Sequence, residues 1–369
     1  MARAFANPSP LGEPHAPARP GRLLAVCAVD RPGGAEIGLL RLLAALSTRG
    51  WEVTVTTPGR GRLRDAAQAA GHAWRALGVG GLRRGAGAGA GAMLSWPLVR
   101  HLSRRADVVY LNGGVCGRLL PAIGRGGARR VLHVHDIVDR VPSFWRSADV
   151  VLADSQAVTD RLTGLHAHVV GCPVDLDPPA APPPWTAATA GATGPVIGFV
   201  GRIEPRKGVA DLVAAAPAIR RGAPGARVVL IGDDPYGSAP EYTAAVTGSG
   251  EVEHVAWVDN AAGVMRHLDV LVLPSRQEPF GTVLAEAMAV GTPVVATRVG
   301  GLAEVVADGV TGRLVAARQP ADLAAAVLEV LAARDTMSAA ARDHARRFDA
   351  GAYAARVERL IAPGSVATV

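Results

Sequence analysis

The residues best suited to chemistry fall in two stretches of the second half of the chain. The first, Gly201-Arg202-Ile203-Glu204-Pro205-Arg206-Lys207-Gly208, follows the aliphatic run Val196–Val200 and sets two permanent cations, Arg202 and Lys207, around a loop. Lys207 is the single lysine among 39 basic residues, in a chain where arginine serves everywhere else. An ammonium makes a compact contact to a phosphate oxygen that a planar guanidinium does not copy. The second stretch is Asp269–Gly301, DVLVLPSRQEPFGTVLAEAMAVGTPVVATRVGG. Val270–Leu273 reads as a buried parallel strand stopped by Pro274. A polar loop carries Glu278, and a run of good helix formers begins near Thr282. Gly291 and Pro293 end that helix, and Val294–Thr297 is the next strand. The free N–H groups of Phe280, Gly281 and Thr282 at such a helix start favour an anion. Glu278 and Glu286 are acceptor-only carboxylates suited to sugar hydroxyls. A diphosphate joining a nucleoside to a hexose satisfies all of these groups together.

Three further motifs need weighing. In His133-Val134-His135-Asp136 the two histidines are two apart on a strand and so share a face. They could begin a metal site, but no third ligand of suitable spacing is apparent, and a histidine at a strand's carboxyl end facing a cleft is the better reading. Asp175-Leu176-Asp177 has the letters of a metal-binding motif, yet it lies where the chain turns into Pro178–Pro184, which favours a connector. Gly33-Gly34 opens a helix after the first strand, either as a phosphate or sugar loop or as a plain tight turn. It lacks the spacing of a dinucleotide fingerprint.

The elements that must hold these groups alternate strand and helix. In the first half, Arg22–Val29, Trp51–Thr57, Asp107–Asn112, Arg130–His135 and Ala148–Asp154 read as strands, with helices over Ile37–Ser47 and Leu63–Ala70. In the second, Val196–Val200, Arg227–Ile231, Val255–Val258, Val270–Leu273 and Val294–Thr297 are strands, and Ala321–Ala333 and Met337–Ile361 are helical. This is an α/β rhythm given twice, in a chain of 369 residues, long enough for two cores. The Gly/Ala run Gly85–Ala92, poor in side-chain contacts, is expected to be a mobile lid or a neutral insertion. Residues 1–20 are expected to be a disordered tail, and no apolar run approaches the ~20 residues that span a bilayer.

A net charge of +7 invites a nucleic-acid reading. The arginines are scattered in pairs without interleaved aromatics, so a solvated basic surface is expected instead, with no nucleic-acid partner. Cys27, Cys116 and Cys172 are far apart and odd in number, which argues for a reducing, cytoplasmic setting.

Taken together, Gly201-Arg202, Lys207-Gly208, Pro274-Ser275, the Glu278-x7-Glu286 spacing with Phe280-Gly281, Gly291-x-Pro293 and Gly300-Gly301-x-x-Glu304 resemble the retaining glycosyltransferases of family 4. In the first half the resemblance extends to Gly33-Gly34-Ala35-Glu36 and to the strand ending at His135. It implies the GT-B fold, two Rossmann-like domains facing each other across a cleft. A first domain over 21–185 would serve the acceptor, a second over 195–345 the nucleotide sugar, and 346–369 would cross back to the first. It implies Arg202 and Lys207 on the leaving diphosphate, His135 beside the transferred sugar, Gly34 approaching the phosphates, Glu278 on the sugar hydroxyls and Glu286 on the ribose. Phe280, Gly281 and Thr282 would add backbone N–H groups. The donor would be a nucleotide-diphosphate sugar, UDP being the commoner nucleotide, and the acceptor a small secondary metabolite or a lipid-linked or cell-envelope molecule, with peripheral membrane contact in the latter case. No metal or other cofactor is implied, since protein cations neutralise the diphosphate. Pro279 departs from the family's usual small residue and removes one N–H. An epimerase acting on the same donor, or a binding protein without turnover, would use much the same residues.

Overall fold

The computed structural model describes residues 21–81, 86–185 and 194–364, without the side chains of 86–89. The tail expected over 1–20 lies outside the described residues. Seven strands form the first sheet: β1 (Arg22–Cys27), β2 (Glu52–Thr57), β3 (Ala73–Ala76), β4 (Val108–Asn112), β5 (Arg129–Val134), β6 (Val150–Ala153) and β7 (Ala167–Val169). Six form the second: β8 (Val196–Val200), β9 (Arg227–Ile231), β10 (Glu253–Val255), β11 (Val270–Leu273), β12 (Val294–Thr297) and β13 (Gly312–Val315). The pairings are parallel, in the orders β3-β2-β1-β4-β5-β6-β7 and β10-β9-β8-β11-β12-β13. In each sheet the first strand lies between the second and a later one, so the order reverses beside β1 and beside β8. In such sheets ligands bind outside the carboxyl ends of the strands at that reversal. The loops carrying Gly33-Gly34 and Arg202–Lys207 leave β1 and β8 there.

Each sheet has its own apolar layers. Phe199, Leu212, Val272 and Leu284 are buried in the second core, while Leu23, Leu43, Val55 and Leu152 are buried on one face of the first sheet. Val174 and Trp185 pack into the second core, and Pro178 and Pro179 carbonyls accept hydrogen bonds from Arg266 and Asn260 of that domain. By packing, residues 174–185 therefore go with the second half, although the sequence reading gave them to the first.

The terminal segment runs the other way. Phe348 still sits in the second core, whereas Tyr353, Ala354, Val357 and Ile361 are buried in the first. The helical stretch Met337–Ile361 comes as two α-helices. It breaks after Arg334–Ala345, and Asp349 leaves the helical region and caps the N–H of Ala352, starting a new helix at Ala350–Ile361. At about 1.5–3 kcal/mol for each buried large apolar side chain, that helix is firmly held on the first domain.

One other expectation changes. The strand expected over Val255–Val258 lies at Glu253–Val255, where the pairing with β9 ends as Gly232 N–H meets the Val255 carbonyl. The described part of the Gly/Ala run lies in helix Ala86–Leu94. Alanine's helix propensity carries the turn, and Gly91 approaches Gly80 so closely that an added Cβ would stand 3.2 Å from its Cα.

Candidate active site

At the second sheet's reversal, β8 and β11 are neighbours, paired through Ile197 and Val270. The loops that follow them are pressed together. Gly208, at φ +65°, would place a Cβ 2.0 Å from the Pro274 carbonyl oxygen, so only glycine permits this approach. The consequence is that Lys207 Nζ donates to Glu278 Oε2 at 2.6 Å, and Ser275 Oγ donates to the same oxygen at 3.0 Å. Glu278 is 7% exposed. Burial pushes its carboxyl up, but the Lys207 charge and hydrogen bond, with Arg206 and Ser275, hold it below the usual range. The sole ammonium and the carboxylate expected to bind sugar hydroxyls thus form one unit.

Arg202 is held differently. Its Nη2 lies 3.5 Å from Glu204, and its guanidinium stacks over the Tyr236 ring at 5.7 Å. Arg206, which the sequence reading passed over, pairs with Glu204 at 2.7 Å. Three cations therefore crowd one loop with two carboxylates between them, a positively biased mouth for an anion.

Behind Glu278 the chain turns through Gly281, at φ +90°, into helix Thr282–Ala289. Phe280 is a wedge. Its ring is 5% exposed, lies edge-on to Phe348 at 5.7 Å and stands 3.7 Å from where a Gly171 Cβ would be. Its expected contribution at the site is through the backbone alone. The Pro279 carbonyl accepts from Ser155 Oγ of the first domain at 2.6 Å. On the same helix, Glu286 Oε1 accepts from Arg41 Nη2 of the first domain at 2.7 Å. The carboxylate expected to hold ribose is engaged across the cleft by a residue for which the sequence offered no signal beyond one arginine on an amphipathic helix.

On the first domain, helix Gly34–Thr48 starts with Glu36 reaching back to its cap, the Gly33 N–H donating to Glu36 Oε2 at 3.0 Å. A Cβ on Gly34 would meet nothing within 4 Å. This glycine is not demanded by its protein neighbours, which leaves room beside it for a ligand. A small cavity there is lined by Gly34, Gly38, His135, Asp154, Cys172 and Pro173, among others.

His135 stands one residue beyond β5. Its Nδ1 lies 2.9 Å from Asp154 Oδ2, and its Nε2 lies 2.9 Å from Asn112 Oδ1. His133 Nε2 reaches Asp154 Oδ1 at 2.8 Å, and Tyr110 Oη meets His133 Nδ1 at 2.6 Å. The third acidic partner missing from the sequence reading is Asp154, from the end of the neighbouring strand, rather than Asp136. His133, His135 and Asp154 bring ligand atoms within 4.8 Å of one another. The separations of 2.8 and 2.9 Å are those of hydrogen bonds, whereas ligands around a tetrahedral zinc with ~2.1 Å bonds stand roughly 3.4 Å apart. We read the group as a hydrogen-bonded cluster. Burial drives the His133 imidazole down to about 4, so it is neutral. Burial also opposes charge on His135, but Asp154 outweighs it and raises the group. Asp154 is held far below the usual carboxylate range, the two histidines overcoming its burial.

Asp175 and Asp177 form a local turn, Asp175 Oδ1 accepting from the Asp177 N–H at 3.1 Å, as expected of a connector. The three cysteines are free. Among the described residues no helix is long and apolar enough to cross a membrane.

Comparison with known proteins gives these sites a family. The model of the "Glycosyl transferases group 1" family matches residues 194–333, and that of "Glycosyltransferase Family 4" matches 32–178. A D-inositol 3-phosphate glycosyltransferase of Geodermatophilus obscurus is 42% identical over 188 residues, which are 45% of this chain and 42% of that protein. A glycogen synthase of Mycobacterium tuberculosis is 35% identical over 201 residues, 50% of this chain and 46% of that protein. The matches thus span about half the length of these curated relatives or less. In overall fold, Anabaena HepE in complex with UDP-glucose superposes with a TM-score of 0.75 at 21% identity, over 91% of this chain and 98% of the other. AviGT4, involved in avilamycin A biosynthesis, gives 0.61 at 23% identity over 94% and 99%. With a family model on each half and parallel sheets of seven and six strands arranged as in these structures, the chain belongs to the group 1, family 4 glycosyltransferases and has the GT-B fold.

Proposed function

We propose that this protein transfers a hexosyl group from a nucleotide-diphosphate sugar, a UDP-sugar in the first instance, to an acceptor hydroxyl with retention of anomeric configuration. The observation that carries the reading is the Lys207–Glu278 pair, set between the Arg202 loop and the start of helix Thr282–Ala289, beside the first domain. Cleavage of the anomeric bond leaves negative charge on the diphosphate, and fixed cations and N–H dipoles stabilise it without reorganising. Arg202, Lys207 and the Phe280–Thr282 backbone supply them, in the place where other transferases use a metal ion. Glu278 and Glu286 lie on sugar and ribose, and His135 and Gly34 face them from the first domain. Retention follows if the acceptor attacks from the leaving group's own face, the departing phosphate oxygen taking its proton. The test is incubation with a panel of UDP- and other nucleotide sugars and candidate acceptors, with and without EDTA, and the product's anomeric coupling constant read by NMR. An inverted product refutes retention, loss of activity in EDTA refutes metal independence, and epimerised donor with no transfer favours an epimerase.

A lipid-linked acceptor is favoured over a freely diffusing one by the surface next to the acceptor half. Met93, Leu94 and Leu98 are 56, 86 and 41% exposed, and Arg100, Arg104 and Arg105 follow directly. An apolar ridge bordered by arginines suits an anionic membrane surface. Sedimentation with phosphatidylglycerol vesicles, abolished by Leu94→Asp, supports that reading; equal binding to neutral vesicles counts against it.

A further inference from the structure

The His135 cluster contains more than a cleft histidine needs for its fold. Asp154 is 4% exposed and gives both oxygens to the two imidazoles, Oδ2 to His135 and Oδ1 to His133. The His133 and His135 rings are 3.9 Å apart. Asn112 is 2% exposed, spends its oxygen on His135 Nε2, and leaves its Nδ2 without a partner. A carboxylate accepts only, so His135 Nδ1 carries a proton, and with the Asn112 oxygen turned toward Nε2 a second proton sits there, whereas a rotated amide would donate to a neutral ring. With the oxygen toward Nε2, both ring nitrogens are donors. The ring is fixed from two sides, and an unpartnered donor, Asn112 Nδ2, stands next to the nitrogen farther from Asp154.

We propose that Asp154 is a positioning residue for transfer, holding His135 as a doubly protonated imidazolium whose Nε2–H, together with the free Nδ2–H2 of Asn112, is handed to an oxygen of the incoming sugar. This rests on the function proposed above and deepens it. Asp154 does not touch the sugar; it acts through His135. Sugar binding transfers the Nε2 hydrogen bond from the Asn112 oxygen to a sugar oxygen, so no buried donor is lost. His133 satisfies the second carboxylate oxygen and remains neutral, which keeps one positive charge against one negative in the cluster. The cluster also reaches both neighbouring elements. Tyr110 Oη holds His133 from β4, and Tyr353 of the crossing helix contacts Tyr110. Cys172, in the connection to the second domain, lies between Asp154 and Thr282 at the start of the donor-side helix. The other groups that bear on the His135 charge are Asp136, its chain neighbour, and Glu36 on the first helix, both favouring the proton, and His133, opposing it.

The primary test needs no substrate. Histidine-selective 15N NMR of the free wild-type protein should show both His135 ring nitrogens protonated at pH 7, with titration above that of an ordinary histidine. A neutral His135 at pH 7, or one zinc ion per chain retained after purification, overturns the proposal. Asp154→Asn should bring the His135 titration down by at least about one pH unit. In transfer assays it should lower kcat on the order of a hundredfold while donor KM moves less than about threefold, with the alkaline limb of the kcat profile shifted to lower pH. Asp154→Glu should restore the limb and only part of the rate. If D154N lowers kcat but leaves the limb in place, Asp154 is structural only. Since the NMR titration is read without a sugar nucleotide, it can succeed while the transfer reading fails, and the reverse.

Discussion

If Glu286 takes a ribose hydroxyl, as proposed, Arg41 competes for the same carboxylate, and this makes Arg41 the most informative residue to change. Arg41 Nη2 donates to Glu286 Oε1 at 2.7 Å, and Nη1 donates to the Pro173 carbonyl at 3.1 Å, with side chains 19 and 15% exposed for Arg41 and Glu286. A half-buried hydrogen bond between charged groups contributes about 1.5–3 kcal/mol. A nucleotide whose ribose takes that oxygen must first give back part of that energy. Arg41→Met keeps the aliphatic packing and frees the carboxylate, so nucleoside diphosphate should bind tighter by about 1–2 kcal/mol, a fall in Kd of roughly five- to thirtyfold. Titration calorimetry with UDP measures it. Glu286→Gln should weaken UDP binding, and in that background Arg41→Met should have no further effect, since the competition is gone. The reasoning is refuted if R41M weakens UDP binding as E286Q does, or if its gain survives in the double variant.

The remaining predictions use the same geometry. Lys207→Ala leaves Glu278 buried without its cation, which should cost about 3–5 kcal/mol of stability in denaturant unfolding. The double variant with Glu278→Gln should recover most of that while transfer remains lost. Gly34→Ala meets no protein atom, and as an alanine in a first helical turn it should leave stability unchanged or raise it by up to ~1 kcal/mol; donor KM should nevertheless rise if phosphates approach there, and an unchanged KM would mean that Gly34 is only a turn. Stability against pH should peak near 6.5. Below it His133, whose folded pKa is about 4, takes up a proton only on unfolding, so stability falls toward acid. Above it the contribution of His135, raised in the folded state, is lost as pH passes through its folded value. Thermal midpoints taken in half-unit steps from pH 5 to 9 check both limbs.

The parts of this structure legible in the sequence are those whose causes are local or repeat with a fixed period. Val270–Leu273 with Pro274, and Val294–Thr297 after Gly291-x-Pro293, end where they were expected because aliphatic runs and backbone-breaking residues are written side by side. Lys207 stood out because composition made it an exception. What could not be read lies across sequence distance. Ala73–Ala76 and Gly312–Val315 are short edge strands without a distinctive pattern, and they form because a neighbour offers an edge. Arg41 meets Glu286, and Asp154 meets two histidines, only after the sheets are stacked and ordered; nothing in the intervals between them marks either encounter. The helix in the Gly/Ala run was not legible for a related reason. Its few side-chain contacts suggested mobility, but small residues also allow a helix to approach its neighbour's backbone, as Gly91 does at Gly80.

The charged groups proposed to meet the donor each have protein partners: Glu278 for Lys207, Glu204 and Tyr236 for Arg202, Arg41 for Glu286, Asp154 and Asn112 for His135. Binding of a sugar diphosphate is then an exchange of partners rather than the filling of an empty charged cleft. An exchange conserves much of the electrostatic energy, so affinity should depend only weakly on the total charge of the site and strongly on which internal pair each ligand group replaces. It also gives the two domains separate roles in the exchange. Lys207–Glu278 lies within the second domain and survives any opening of the cleft, whereas Arg41–Glu286 and Ser155–Pro279 bridge the domains and must loosen for the donor to enter. On the role proposed for Glu286, opening and ribose binding are coupled through one carboxylate. Ser155→Ala removes the bridge to Pro279 along with the cap that Ser155 Oγ gives the Val158 N–H inside the first domain, and should ease opening without freeing Glu286. Its expected signature is faster association of UDP in stopped-flow with little change in Kd, in contrast to the tighter binding expected of Arg41→Met. If the two variants gave the same kinetic signature, Glu286 would not be the group through which opening and ribose binding are linked.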